Sequence, residues 1–254
     1  MGHVRLGNLP RTRKWQQVVG LIDTGAATPE VAAATLDTSK RGLEEASQDT
    51  ALVQSFWLLT QLPLCAREAN YPEKLREIGI TVSDAPTLME LVGGFSDSVD
   101  THVRRVGGRT DLGEMAQMGA AETLAAAVGK GTATLFGTPA EEVRRELSRF
   151  ATRKNFSSLA RDFFARLTER YLTYFLSREL SNHLSGVAAN QEFREALALH
   201  CRQASRIVEE FAGGWFSKAN FEGGIDQKKA AGFVQYAMKK LRDELEKGAE
   251  GGKR

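Results

Sequence analysis

Apolar side chains recur at three- and four-residue spacing along most of this chain, and that period is the signature of helices. Val18, Leu21 and Ile22 form one stripe near the start. Residues 51–62 are a dense apolar run containing Phe56, Trp57, Leu58 and Leu59, which predicts a buried helix. Near the end Phe233, Ala237, Leu241 and Leu245 recur every four residues, with Lys239, Lys240 and Arg242 on the other face. Clean two-residue alternation is almost absent, so little β structure is expected.

The most informative pattern lies at 156–184. Phe156, Leu159, Phe163, Phe164, Leu167, Tyr171, Leu172, Tyr174, Phe175, Leu176 and Leu180 cover most of a helix circumference, and only Arg166, Arg170, Thr173 and Ser177 hold a polar stripe. A helix apolar nearly all round is enclosed by neighbours. The expectation is an all-α protein, an irregular multi-helix bundle with a long buried central helix at about 156–184.

Helix starts are legible between the stripes. Thr28-Pro29-Glu30 and Thr138-Pro139-Ala140-Glu141 pair an N-cap with proline at the first helical position. Thr87 with Glu90, and Asp111 with Glu114, have capping-box spacing. Asp226 is placed to cap the last helix. All prolines (Pro10, Pro29, Pro63, Pro72, Pro86 and Pro139) precede residue 140, and proline breaks helix interiors. The chain therefore divides into a proline-punctuated, short-helix region at 1–137 and a long-helix region at 138–247, with one continuous domain as the alternative. A disordered tail is expected at 248–254.

Composition narrows the class. A chain of 254 residues with 42% hydrophobic content can bury a sizeable core without staples. Cys65 and Cys201 are too few for a disulfide framework and suit a reducing compartment. Residues 1–20 lack the apolar core of a signal peptide, and no run of about 18 apolar residues suggests a membrane span. A soluble, cytoplasmic protein is expected, with no membrane partner. The net charge of +2 is uneven: 13 basic against 16 acidic residues up to 137, then 21 against 16.

That basic excess centres on Arg145, Arg149 and Arg153, spaced by four on an expected helix over 141–170, with Lys154 beside them. Clustered donors of this kind suit phosphate. Arg11, Arg13 and Lys14 in the N-terminal arm extend the candidate anionic-partner face. The competing reading is self-pairing, since Glu141–Arg145 and Glu146–Arg149 have helix-pair spacing. Residues 28–47 resemble a helix-turn-helix, with a polar break at Asp37–Ser39 and Lys40 and Arg41 after it, although Glu44 and Glu45 oppose phosphate.

Other features bear on partners and chemistry. Gly119, Thr123, Ala127 and Gly131 make a smooth ridge within 115–136, suited to close helix packing inside the fold or against a partner. Asp97, Asp100, His102, Asp111 and Glu114 could supply metal ligands, but Asp100 and His102 fall on different helix faces and Asp111 and Glu114 suit a helix start. His183, His200 and Cys201 lie on or beside the apolar helices, and His200 and Cys201 read as packing residues. The stretch Gly213-Gly214-Trp215-Phe216, closed by Phe221 and Gly223-Gly224, reads as a loop whose aromatics either dock a protein or pin the loop to the core.

No catalytic, cofactor-binding or metal-ligating set emerges, and no cofactor is expected. The function expected from these observations is that of a non-enzymatic helical interaction protein. It would serve as a subunit or adaptor of a larger intracellular assembly, with a protein partner. The alternative is a nucleic-acid-binding protein that uses the arginine face and the basic arm.

Overall fold

The computed structural model describes residues 12–44, 48–129, 139–184 and 186–251. Among them the chain forms eleven α-helices and no strand. The helices are α1 (Arg13–Asp23), α2 (Thr28–Glu44), α3 (Thr50–Cys65), α4 (Tyr71–Glu77), α5 (Leu88–Val106), α6 (Asp111–Gly129), α7 (Ala140–Arg149), α8 (Arg153–His183), α9 (Val187–Ala204), α10 (Arg206–Phe221) and α11 (Gln227–Gly251). The all-α bundle expected from the apolar period is present, and its central helix is α8, with 31 residues.

The environment of α8 follows from its composition. Helices α1, α2, α6, α9 and α10 pack around it. Its apolar side chains from Phe156 to Leu180 are buried on several sides at once. Phe56 of α3 meets Phe156, Phe163 and Phe164 of α8, and it stacks on Phe233 of α11 with centroids 4.9 Å apart. Trp215 of α10 closes the group, 5.8 Å from Phe56. Aromatic pairs in these offset and tilted arrangements add to the burial of their area. The buried apolar cluster runs from Trp15 to Leu245, so it joins helices on both sides of residues 137 and 138.

Helix starts are fixed by side-chain caps. Thr87 and Glu90 form the expected capping box. Asp226 accepts from the Lys229 amide at 2.7 Å, as its position suggested. The start of α6 differs in detail: Thr110, not Asp111, accepts from the Gly113 amide at 2.8 Å. The Thr110 hydroxyl in turn donates to Asp49, and Asp49 caps α3 by accepting from Leu52 at 2.8 Å. Two helix starts are thereby tied through one buried carboxylate, and burial pushes that carboxyl up.

Three local expectations change. Residues 28–44 form one unbroken helix, so the turn of a helix-turn-helix is missing; residues 45–47 of that stretch lie outside the described residues. The polar run does not break the helix because its hydroxyls bond to the preceding turn. Thr35 donates to Val31 O at 2.7 Å, Thr38 to Ala34 O at 2.8 Å and Ser39 to Thr35 O at 2.8 Å. Conversely, the expected helix over 141–170 is broken after Arg149, and Thr152 caps a new one. Finally, α11 continues to Gly251, past the expected tail boundary at 248, while 252–254 lie outside the described residues.

Candidate functional site

The arginine face is partly paired within the chain. Arg145 lies 3.0 Å from Glu142, and Arg149 lies 2.8 Å from the buried Glu146. Arg144 donates to the carbonyls of Ala66 and Glu68 at 3.1 and 2.8 Å, closing the end of α3. Arg161 pairs with Glu209 at 2.8 Å, and Lys14 pairs with Asp37 at 2.7 Å. Exposed Arg153 and Lys154 stand on α8, beyond the break, so the four-residue register with Arg145 and Arg149 is lost. Arg13 is exposed at the start of α1, and Arg11 lies outside the described residues.

The aromatic stretch is a helix rather than a loop. Gly213, Gly214, Trp215 and Phe216 all lie within α10. Phe216 is 2% exposed and stacks on Phe156 with centroids 4.0 Å apart, so it belongs to the core. Trp215 is half-buried among Phe56 and Phe233. Only Phe221, at the end of α10, is free of the core, at 91% exposure. Gly213 has a packing role: a Cβ on it would lie 2.1 Å from the Arg153 carbonyl oxygen. Of the glycines here, Gly223 and Gly224 alone make a turn, with φ of 94° and 91°.

The acidic and histidine candidates scatter. Glu114 pairs with Arg109 at 2.7 Å, Asp111 accepts from Tyr174 at 3.0 Å, and Asp100 accepts from Gln117 at 3.3 Å. Burial pulls the His102 imidazole down, and Arg105 adds to that. No cluster of three or more His, Cys, Asp or Glu side chains able to hold a metal exists among the described residues. His200 and Cys201 are buried, and burial pushes the Cys201 thiol up and the His200 imidazole down. Among the described residues no helix is long and apolar enough to cross a membrane.

The polar stripe of α8 does converge on something. Arg166, Glu169, Arg170, Thr173, Tyr174 and Ser177 form one wall of an open groove of about 470 Å³, and Met115, Met118 and Glu122 of α6 form the other. Helix spacing places the α8 residues along one face. The small-residue ridge sets the walls close: a Cβ on Gly119 would sit 3.6 Å from Arg166 Cβ, in ordinary contact, and Gly119, Thr123 and Ala120 are buried there. Lys130 and Gly131, at the far end of that ridge, lie outside the described residues.

The groove's charges are unevenly satisfied. Glu122 spends both carboxylate oxygens, one on Arg166 at 3.4 Å and one on Arg170. Glu169 has no ion pair or hydrogen bond among the described residues. Burial pushes its carboxyl up, while Arg166, Arg170 and Arg202 act through space in the opposite direction. Met118 is 47% exposed at the rim. The arrangement offers a soft apolar floor, two engaged arginines, one unpaired carboxylate and the hydroxyls of Thr173 and Ser177.

Of the α8 wall, the sequence pattern marked Arg166, Arg170, Thr173 and Ser177 as a polar stripe on a buried helix; it left out Glu169 and counted Tyr174 among the apolar residues. The other wall, Met115, Met118 and Glu122, has helix spacing too, but nothing local says that α6 lies beside α8. Compared with known proteins, the chain matches no family model, no curated protein and no solved structure.

Proposed function

We propose that this protein acts by binding, without catalysis, and that the groove between α6 and α8 receives a helical segment of a partner protein. One observation carries the reading: the central helix of the bundle keeps a polar face toward an open groove instead of burying it. Residues inside a core are selected by packing; an Arg–Glu–Arg–Thr–Ser stripe beside two methionines is better suited to a changing neighbour. Methionine is unbranched and polarizable, and it adapts to varied apolar surfaces. A groove with helix-spaced residues on both walls suits the helix-in-groove mode of recognition. Membership of a larger assembly follows naturally from such a site.

The arginine face supports a nucleic-acid partner less well, because Glu142, Glu146 and Glu209 already occupy Arg145, Arg149 and Arg161. Carboxylates beside these arginines lower the positive potential that a phosphate would meet.

The experiment compares Met118→Glu with Met89→Glu, which alters a methionine 81% exposed on α5. Tagged full-length chains are cross-linked in cells and their partners identified by mass spectrometry. Partners cross-linked to α6 and α8 are lost in Met118→Glu and kept in Met89→Glu. Equal recovery by both variants refutes the groove as the binding site.

A further inference from the structure

We infer that the partner helix sets a lysine on Glu169, with the lysine stem lying over Met115 and Met118. This rests on the binding role of the groove and names the chemistry of its occupant.

The groove leaves one of its charges unsatisfied. Its lining carries two positive and two negative side chains: Arg166 and Arg170, Glu122 and Glu169. Both arginines are already tied to Glu122. Glu169 is held half-buried, with Arg166, Arg170 and Arg202 acting on it only from beyond ion-pair distance. A carboxylate removed from water without a hydrogen-bond donor is unfavourable, and a donor brought by the occupant relieves it.

Lysine fits the surroundings of that carboxylate. Its ammonium has three donors, and the acceptors at hand are the Glu169 carboxylate and, one turn along the same face, the Thr173 hydroxyl. Its aliphatic stem buries well against apolar surface while the charge reaches a polar group. Met115 and Met118 provide that surface on the facing wall. The α8 wall from Arg166 to Ser177 is about 16 Å long at 1.5 Å per residue, close to three turns of a partner helix. An acidic occupant would meet Glu169 head-on and would have to compete with Glu122 for the arginines.

The test uses displayed peptides of about 16 residues with amphipathic helical patterning, selected against the full chain. Enriched peptides should share a lysine flanked at helix spacing by apolar residues. Glu169→Gln should weaken them about tenfold, the loss expected from one hydrogen bond to a charged group. Replacing the peptide lysine by methionine should weaken binding equally, with no further loss on the Glu169→Gln protein. Peptides that bind Glu169→Gln as well as wild type but are lost on Met118→Glu overturn the lysine and leave the groove standing. Peptides indifferent to Met118→Glu, or no enrichment at all, overturn both. Both variants alter partly exposed side chains, and unchanged circular dichroism spectra verify that they fold.

Discussion

Two adjacent glycines of α10 should respond in opposite directions to the same substitution. A methyl on Gly213 would lie 2.1 Å from the Arg153 carbonyl oxygen, 2.4 Å from Ser157 Oγ and 2.8 Å from Arg153 Cγ. The nearest atom is backbone, so relief requires α8 and α10 to separate. Overpacking of this kind costs about 1–3 kcal/mol. Separation also weakens the bond from the Gly213 amide to Ser157 Oγ, 3.0 Å long, worth about 1 kcal/mol. Alanine's advantage over glycine in a helix returns only about 0.5–1 kcal/mol. Gly213→Ala should therefore destabilise by about 2 kcal/mol net, a Tm lower by roughly 4–8 °C for a chain of this size. A methyl on Gly214 meets only Arg153 Nη2 at 3.6 Å, an ordinary contact with a flexible side chain. Gly214→Ala should keep the helix gain and raise Tm by about 1–4 °C. Thermal melts followed by circular dichroism decide it. If both variants shift Tm the same way, the close approach of α8 and α10 is refuted, and the loop reading of this stretch returns.

Phe56→Ala empties the centre of the aromatic cluster and should cost about 3–5 kcal/mol, measured by denaturant unfolding; a loss under about 1 kcal/mol would contradict its burial. Glu169→Gln should change how stability depends on pH. Because burial raises the folded carboxyl above its ordinary 4.5, the native state holds its proton longer than the unfolded chain. Wild-type stability then falls as pH rises from about 4.5 through the folded value. The variant lacks that fall, so its advantage is absent at low pH, grows across this window and levels off above it; a difference that is the same at all pH would count against the burial of Glu169. Native protein at pH about 8 should leave both thiols unreacted by a thiol reagent: burial pushes Cys65 up to about 11 and raises Cys201 as well. Reaction without unfolding would show that either residue is accessible.

Much of this architecture was legible because helix formation is local. Apolar residues at 3.6-residue spacing and hydroxyl or carboxylate caps act within one turn, so α8, the Thr87–Glu90 box and the Asp226 cap could be read directly. Where two local signals competed, sequence reading chose badly. The polar run Asp37–Ser39 looked like a turn, yet its hydroxyls bond to the turn before them. Gly213-Gly214 looked like a loop, yet the glycine is there to admit the backbone of α8.

By itself, the order of residues determined that this protein is helical, which helix is enclosed, and that the enclosed helix carries a polar stripe. Only the tertiary structure decided what that stripe faces. It set Met115, Met118 and Glu122 opposite, gave Arg166 and Arg170 to Glu122, and left Glu169 without an ion pair or hydrogen bond among the described residues. The physical reason is range. Periodicity and capping depend on neighbours within about four residues, whereas the pairing of α6 with α8 joins side chains more than forty positions apart. That pairing is chosen by the fit of the whole core.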